Sequence, residues 1–471
     1  MPLIIPSNSQ SATGYTIDQS IRFNDPDNPK LGKTFSGAGT EETWTFSCWI
    51  KLGVETSNGR RMIFSAGSAG SNFGGAEMSS TGDNSLEFYN YVSGSYAWRL
   101  QTTQLLRDPA AWYHLVFVSD TTNAISSERA RIYVNGQRVT SFQTASYPSA
   151  SYANNFWMGT TEHEIGTSIF TTQNFDGYMA EIVNLDGTAT DCNSFAEFND
   201  SGIWIPKDVS GLTFGTNGFH IDGRDSADLG DDESGNGNDF STSGLAAHDQ
   251  VLDSPTNNFC VMSPIDFTYN ELRNGNLETI GGNNNKGGRG TMGFTSGKFY
   301  WEMLATTVSD GYPGSGVVYD EYASTMPTAY AGGGTNHGAG ASHNQAIWYK
   351  QSTSGTTYGS TASSGDILQY ALDRDNNKIF WGVNGTFRNS GDPANGTGAV
   401  ASSLTHYGAW MPFVNHGSNA GSSASTFNFG QDGTFAGAKT AQGNSDGNGV
   451  GNFYYSVPSG FLALCTKNLG S

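Results

Sequence analysis

The stretch Gly365–Phe387, GDILQYALDRDNNKIFWGVNGTF, leaves a chain little freedom in its local structure. Leu368, Tyr370 and Leu372 alternate with Ile367, Gln369 and Ala371. After the polar turn Asp373–Asn377 the chain returns as Ile379, Trp381 and Val383 alternating with Lys378, Phe380 and Gly382. Period-two alternation on both sides of a turn predicts a β-hairpin. The first half of the chain has a related device. There WYHLVFVSD (Trp112–Asp120) is followed by ARIYVNGQRV, a strand that runs into Asn135–Gly136, and Asn-Gly supplies the positive φ values of a tight turn.

The same alternation recurs along the chain. In WTFSCWIKL, Trp44, Phe46, Cys48, Ile50 and Leu52 make one apolar face, with Thr45, Ser47, Trp49 and Lys51 opposite. Further strands are predicted at Met62–Ser65, Leu86–Tyr91, Ala97–Gln101, Trp112–Ser119, Ala130–Asn135 and Tyr178–Leu185. In the second half they are predicted within GKFYWEML, SGVVY, AIWYK, WMPFVNH, STFNFGQ and FLALC. The one helical turn expected is Asp191–Phe198, with Asp191 or Asn193 as its cap. Short strands separated by Gly, Asn and Ser clusters predict an all-β protein, and 471 residues exceed one ordinary core. With 62 glycines, 13% aromatic and only 14% charged residues, the surface is wetted by Ser, Thr and Asn more than by ion pairs.

A net charge of -20 and a pI near 4.6 would repel phosphate backbones and anionic lipid, so nucleic acid is not an expected partner. No window reaches the roughly 18 apolar residues of a membrane span. The start MPLIIPSNSQ has no basic region before its short apolar run, so use without Sec export is expected. Cys48, Cys192, Cys260 and Cys465 lack CxxC spacing and read as free, buried thiols.

The succession SIRFND, TWTFSCWIKLG, WYHLVFVSD, ARIYVNGQRV and GYMAEIVNLDG resembles a concanavalin A-like lectin/glucanase (laminin G-like) jelly roll, in the form common in marine bacteriophage structural proteins. GKFYWEM, the Gly365–Phe387 hairpin, WMPFV and FNFGQ resemble a SPRY (B30.2) domain, and FYYSVPSGFLALCTKNL resembles the closing strand of its phage versions. The linking SGNGNDF and DSPTNNF resemble an ordered joint in such proteins. These resemblances imply two consecutive antiparallel β-sandwiches, a ConA-like jelly roll and a SPRY-like sandwich. The expected divisions are a docking segment at 1–14, the jelly roll at 15–225, an Asp/Gly/Asn-rich joint at 226–260 and the SPRY-like sandwich at 261–471. The jelly roll implies a carbohydrate site on a face or loop rim; the SPRY-like domain implies binding through loops, above all Asp320–Gln345, without catalysis.

Four parts of the chain offer candidate chemistry. A retaining glycosidase needs two carboxyls about 5–5.5 Å apart; the nearest candidate, Glu162-His163-Glu164, reads as a solvated loop. The acidic set Asp222, Asp225, Asp228, Asp231, Asp232, Glu233 and Asp239 invites structural calcium, but its spacing fits Asx-turns better. His337 and His343 lack a third zinc ligand, so no cofactor is expected. Sugar rings need aromatic planes with amide and carboxylate neighbours. YNYVSGSYAW offers Tyr89, Asn90, Tyr91, Tyr96 and Trp98 around a Gly turn. Tyr147, Tyr152, Asn154, Asn155 and Trp157 follow, and Tyr312, Tyr319, Tyr322, Tyr330 and Trp348 flank the long loop.

The expected function is a non-catalytic phage virion surface protein, a fibre component or adhesin on the particle exterior that binds host surface glycan. Ligand contacts are expected at Tyr89, Tyr91, Tyr96, Trp98, Tyr152, Trp157, Tyr322 and Tyr330. Other virion proteins and further copies of the chain are expected partners, with Leu3–Pro6 packing onto a neighbour. The alternatives are a capsid- or tail-decorating protein whose sandwiches form subunit interfaces and, third, a polysaccharide depolymerase.

Overall fold

The computed structural model describes residues 14–53, 60–79, 84–153, 156–170, 173–267, 271–281, 286–308, 314–319, 338–343, 347–350, 355–404, 408–416 and 423–469. Their regular structure is almost wholly strand, interrupted by single 3-10 turns. The chain divides into two units at Thr256/Asn257. The docking segment at 1–14, apart from Gly14, lies outside the described residues.

The first unit is a sandwich of two eight-stranded sheets. In its back sheet, Thr43–Leu52 pairs antiparallel with Trp112–Asp120 on one side and Gly177–Asp186 on the other. Its front sheet runs in the order Phe142–Ser146, Ser95–Leu105, Ser85–Val92, Asn72–Met78, Arg61–Ala69, Glu162–Ile165, Lys30–Thr34, Ser241–Ser243. The predicted apolar face of WTFSCWIKL is the inner one. Trp44, Phe46, Cys48, Ile50 and Leu52 pack between the sheets against Phe64, Phe88, Trp98 and Trp157, with Phe46 and Phe64 centroids 4.3 Å apart.

The opposite face of that strand is sealed too, although its alternation suggested a polar, solvated side. Trp49 joins Trp112, Tyr178, Val183, Phe195, Trp204 and Phe214 in a second apolar layer. The chain after residue 190 supplies Phe195, Trp204 and Phe214 to that layer. Thr45, Ser47 and Lys51 are buried with it. Lys51 Nζ meets Asp253 Oδ2 at 2.6 Å, with no exposed surface on either side chain, and Trp112 Nε1 donates to Asp253 Oδ1 at 3.0 Å. Arg22 makes a second buried pair with Asp249 at 3.2 Å. His114 is neutral: burial pushes its pKa down to about 3. It accepts from Trp204 Nε1 at 3.1 Å and sits 2.8 Å from Ser47 Oγ.

The Asp/Gly/Asn-rich stretch is carried mainly by the first unit. Ser241–Ser243 pairs with Lys30–Thr34, and Gln250–Val251 pairs with Ser20–Phe23. Its carboxylates bind nearby backbone: Asp225 accepts from Ala227 N, and Asp232 accepts from the backbone N–H groups of His220, Ser234 and Asn238. Among the described residues no three His, Cys, Asp or Glu side chains are grouped to hold a metal. The helical turn is shorter than expected. Asp191 caps a 3-10 turn at Cys192–Ser194, and Ala196–Phe198 is a strand. Glu162-His163-Glu164 is also a strand rather than a loop, paired on both edges. The four cysteines are free and buried.

The second unit stacks a seven-stranded sheet on a nine-stranded one. The hairpin Ile367–Asp373/Lys378–Val383 lies in the larger sheet, in the register Leu368↔Val383, Tyr370↔Trp381, Leu372↔Ile379. Trp301 stacks on Tyr370 at 5.5 Å. Tyr370 also hydrogen-bonds Ser315, whose hydroxyl meets His343 Nε2 at 2.6 Å. Gly338–Ser342 is a strand between Gly314–Tyr319 and Ile347–Lys350, so part of the predicted loop Asp320–Gln345 is sheet. The hairpin's other face is covered as well: Ile367 and Leu304 pack under Phe435, Tyr454 and Tyr455. Leu462–Ala463 adds in parallel to Lys298–Thr307, the one parallel pairing recorded among the described strands. Glu302 holds this cover, accepting from the N–H groups of Tyr454 and Tyr455 at 2.8 and 2.7 Å.

Removing one partner of a buried ion pair leaves the other charge uncompensated and costs about 3–5 kcal/mol. Asp253→Ala should therefore lower the first unit's calorimetric transition by that order. Lys51→Met combined with Asp253→Leu should recover most of it.

Candidate functional site

Side chains on one face of a sheet are found by following the register across its strands. On the outer face of the front sheet this gives three rows. The first runs Glu162, Gly67, Phe73, Tyr91, Tyr96; the second runs Glu164, Ser65, Gly75, Tyr89, Arg99; the third runs Met62, Glu77, Glu87, Gln101. Tyr96 joins this face through a β-bulge. The register slips between Asn90 and Tyr91, so Tyr96 faces Tyr91 while Trp98 faces Asn90. Tyr96 and Trp98, two apart in sequence, thus end on opposite faces, the redirection a bulge produces.

The first row is an aromatic patch. Tyr96 lies 5.2 Å from Tyr91 and 5.5 Å from Tyr89, while Phe73 lies 5.5 Å from Tyr91 and 5.8 Å from Phe170. Tyr96 is 38% exposed and Phe170 37%, two of the few exposed large apolar residues among the described residues. Gly94, at φ 80°, completes the tight turn between the two strands, and its carbonyl accepts from Tyr91 Oη at 2.7 Å.

Beside the patch stands a charged network. The Arg99 guanidinium lies 4.6 Å over the Tyr96 ring and grips Glu87 with two bonds, 2.9 and 2.6 Å. Glu87 also accepts from Ser79 Oγ at 2.8 Å. Gln101 accepts from Arg99 Nη2 and donates to Ser79 and Ser85. Glu77 stands directly opposite Glu87, a placement that costs stability unless a cation intervenes. Its nearest one is Arg60 at 3.5 Å. Burial pushes the Glu77 carboxyl up to about 8, with Arg60 pulling it down and Glu87 pushing it further up. Neither Glu77 oxygen has a hydrogen-bond partner, and the Tyr89 hydroxyl, close enough to feel its charge, lies off hydrogen-bond geometry and has none either.

Of the residues singled out from sequence, the structure brings Tyr89, Tyr91 and Tyr96 together on this face. Trp98 and Trp157 are in the core instead. Trp98 packs edge-on to Phe88 at 4.8 Å. Trp157 sits 4.5 Å from Phe64 and donates to Asn184 at 3.0 Å. Half-buried Tyr152 donates to Asn90, behind the sheet. Tyr319 and Trp348 are buried in the second unit, while Tyr312, Tyr322, Tyr330, Asn154, Asn155 and His337 lie outside the described residues. Phe73, Glu77, Glu87, Arg99, Arg60 and Phe170 were missed. For Phe73, Glu77, Glu87 and Arg99 the signal was the period-two parity of NFGGAEM, SLEFYNYV and SYAWRLQ read across three strands at once.

The carboxylates of this face differ in how they are engaged. Glu162 and Glu164 both engage Lys30, and both Glu87 oxygens are taken by donors.

A sequence model of the concanavalin A-like lectin/glucanases superfamily matches residues 25–191, most of this sandwich. A search of curated protein sequences finds no match. Among solved structures, the SPRY domain of human HERC1 is similar at 18% identity and a TM-score of 0.29, covering 35% of this chain and 96% of that one. The heptameric pentraxin of Limulus polyphemus is similar at 18% identity and 0.28, covering 37% and 78%. A Bacteroides ovatus protein described as carbohydrate binding is similar at 17% and 0.32, covering 49% and 60%. At these scores the similarities are likenesses only.

Glu77 should also shape pH stability. Its folded pKa of about 8 lies above the ordinary 4.5. The native state therefore binds more protons than the unfolded chain between these values, and stability falls as pH rises through that window, by on the order of 5 kcal/mol in all. Glu77→Gln should flatten the decline in melting temperature from pH 5 to pH 9. A variant that tracks the parent would show that another group titrates.

Proposed function

We propose that the protein binds glycans without cleaving them, through the outer face of the front sheet in its first unit. The observation that carries this is the patch of Phe73, Tyr91, Tyr96 and Phe170 beside the Arg99–Glu87–Gln101 network. The rings offer apolar planes to a pyranose face, and the network offers polar groups to its hydroxyls, the usual composition of a sugar site. The match of residues 25–191 to a lectin/glucanase superfamily supports the same reading. The clamped carboxylates favour binding over hydrolysis.

The setting belongs to the same proposal. The chain is a fibre component or adhesin on the exterior of a phage virion, contacting other virion proteins and further copies of itself while presenting this face to host surface glycan. The support is the resemblance of the strand motifs to phage structural proteins.

On a glycan array the purified protein should bind a defined subset of sugars. Tyr91→Ala and Tyr96→Ala should each weaken that binding about tenfold, ~1.4 kcal/mol. Binding to no glycan, or undiminished binding by both variants, would overturn the reading. Antibody labelling of intact particles in the electron microscope should place the protein on the outside.

A further inference from the structure

At the Tyr96 end of the front face the two acids are buried and the arginines are not, while the exposed carboxylate of Glu162 lies at the other end of the row, beside Lys30. Glu77 and Glu87 have no exposed surface, whereas the Arg60 and Arg99 side chains keep 24% and 22%. A ligand approaching the aromatic patch therefore meets guanidinium groups, with the carboxylates beneath them. Arg99 is held flat over Tyr96 and spends Nε and Nη2 on Glu87. Arg60 lies 3.5 Å from Glu77 and reaches the phenols of Tyr89 and Tyr96. Each guanidinium also feels the other's charge.

We infer that this site takes an acidic glycan: a sugar residue bearing a carboxylate, received by Arg60 and Arg99 while its ring lies against Tyr96 and Tyr91. This rests on the glycan-binding reading above and narrows it. Guanidinium matches carboxylate in a planar, two-bond geometry that a neutral hydroxyl cannot use. Two cations flanking one exposed ring also stand out in a chain with 23 basic and 43 acidic residues. The buried Glu77 carboxyl, whose nearest cation is Arg60 at 3.5 Å, supports the charge balance. While it is protonated, Arg60 and Arg99 face only one ionised acid, Glu87, and the site is net positive. Once it ionises, the four charges cancel. The described groups that bear most on Glu77 are Arg60, Glu87, Arg99 and Tyr89, with Tyr96 beside them.

The test is calorimetric titration of the full chain with uronate oligosaccharides, with neutral oligosaccharides of equal length and with sulfated ones, at pH 7 and pH 9. The uronates should bind at least tenfold more tightly than the neutral series at pH 7 and lose most of that margin at pH 9. Arg60→Gln, whose fold is checked by its melting curve, should bring uronate affinity to the neutral level. Glu77→Gln should retain the margin at pH 9. Equal or better binding of neutral sugars, a preference confined to sulfated sugars, or an Arg60→Gln variant that keeps the uronate margin would each overturn the inference while leaving glycan binding intact. No binding in any arm would overturn the glycan-binding reading itself.

Discussion

The Lys51–Asp253 pair ties a central strand of the first sandwich to a residue two hundred positions later, inside a region sealed from water. A lone ammonium there would be costly, and the pair is tolerable because Trp112 supplies a further hydrogen bond to the carboxylate. The pair pins the chain around Asp253 to the back sheet, which Phe195, Trp204 and Phe214 also cover. With that cover in place, Trp49, Trp112 and Tyr178 become core instead of surface. The back sheet is committed to stability, which leaves the front sheet as the face able to meet a ligand.

The second unit solves the same problem with a different residue. Its larger sheet is roofed by the segment from Phe435 to Phe461. The anchor is Glu302, a buried carboxylate that has four hydrogen-bond donors, two of them backbone N–H groups of the roof. Burial still pushes its pKa up to about 7, with the donors pulling it back. Asp446 plays a similar part, receiving the Ala463 N–H and the Asn468 side chain. In each unit an acidic side chain with no solvent of its own fixes the last stretch of chain to a sheet.

Much of the fold was legible because period-two alternation marks strands directly. The hairpin at 367–383 and the inner face of residues 44–52 follow from it. The covering layers did not, since a buried polar face looks in sequence like a solvated one. Thr45, Ser47 and Lys51 gave no sign of the segment that would roof them. The loop reading of Glu162-His163-Glu164 failed for a related reason. His163 is buried against Phe35 and Trp157, an environment its charged neighbours disguise. At the candidate site, closeness in sequence around Gly94 grouped Trp98 with Tyr96, and only the bulge separates them. Arg60 and Phe170 reach the site from outside its three central strands, where no local pattern points to it.

The cover on the back sheet also says where this module begins and ends as an inheritable piece. Residues 25–191 answer to the superfamily's sequence model, but a chain cut at 191 would lack Phe195, Trp204, Phe214, Asp249 and Asp253. It would present Trp49, Trp112 and Tyr178 to water, together with an unmatched Lys51 and Arg22. The piece that recombination could move intact between proteins extends to Thr256, and its last residues matter to its solubility as much as its recognisable centre does.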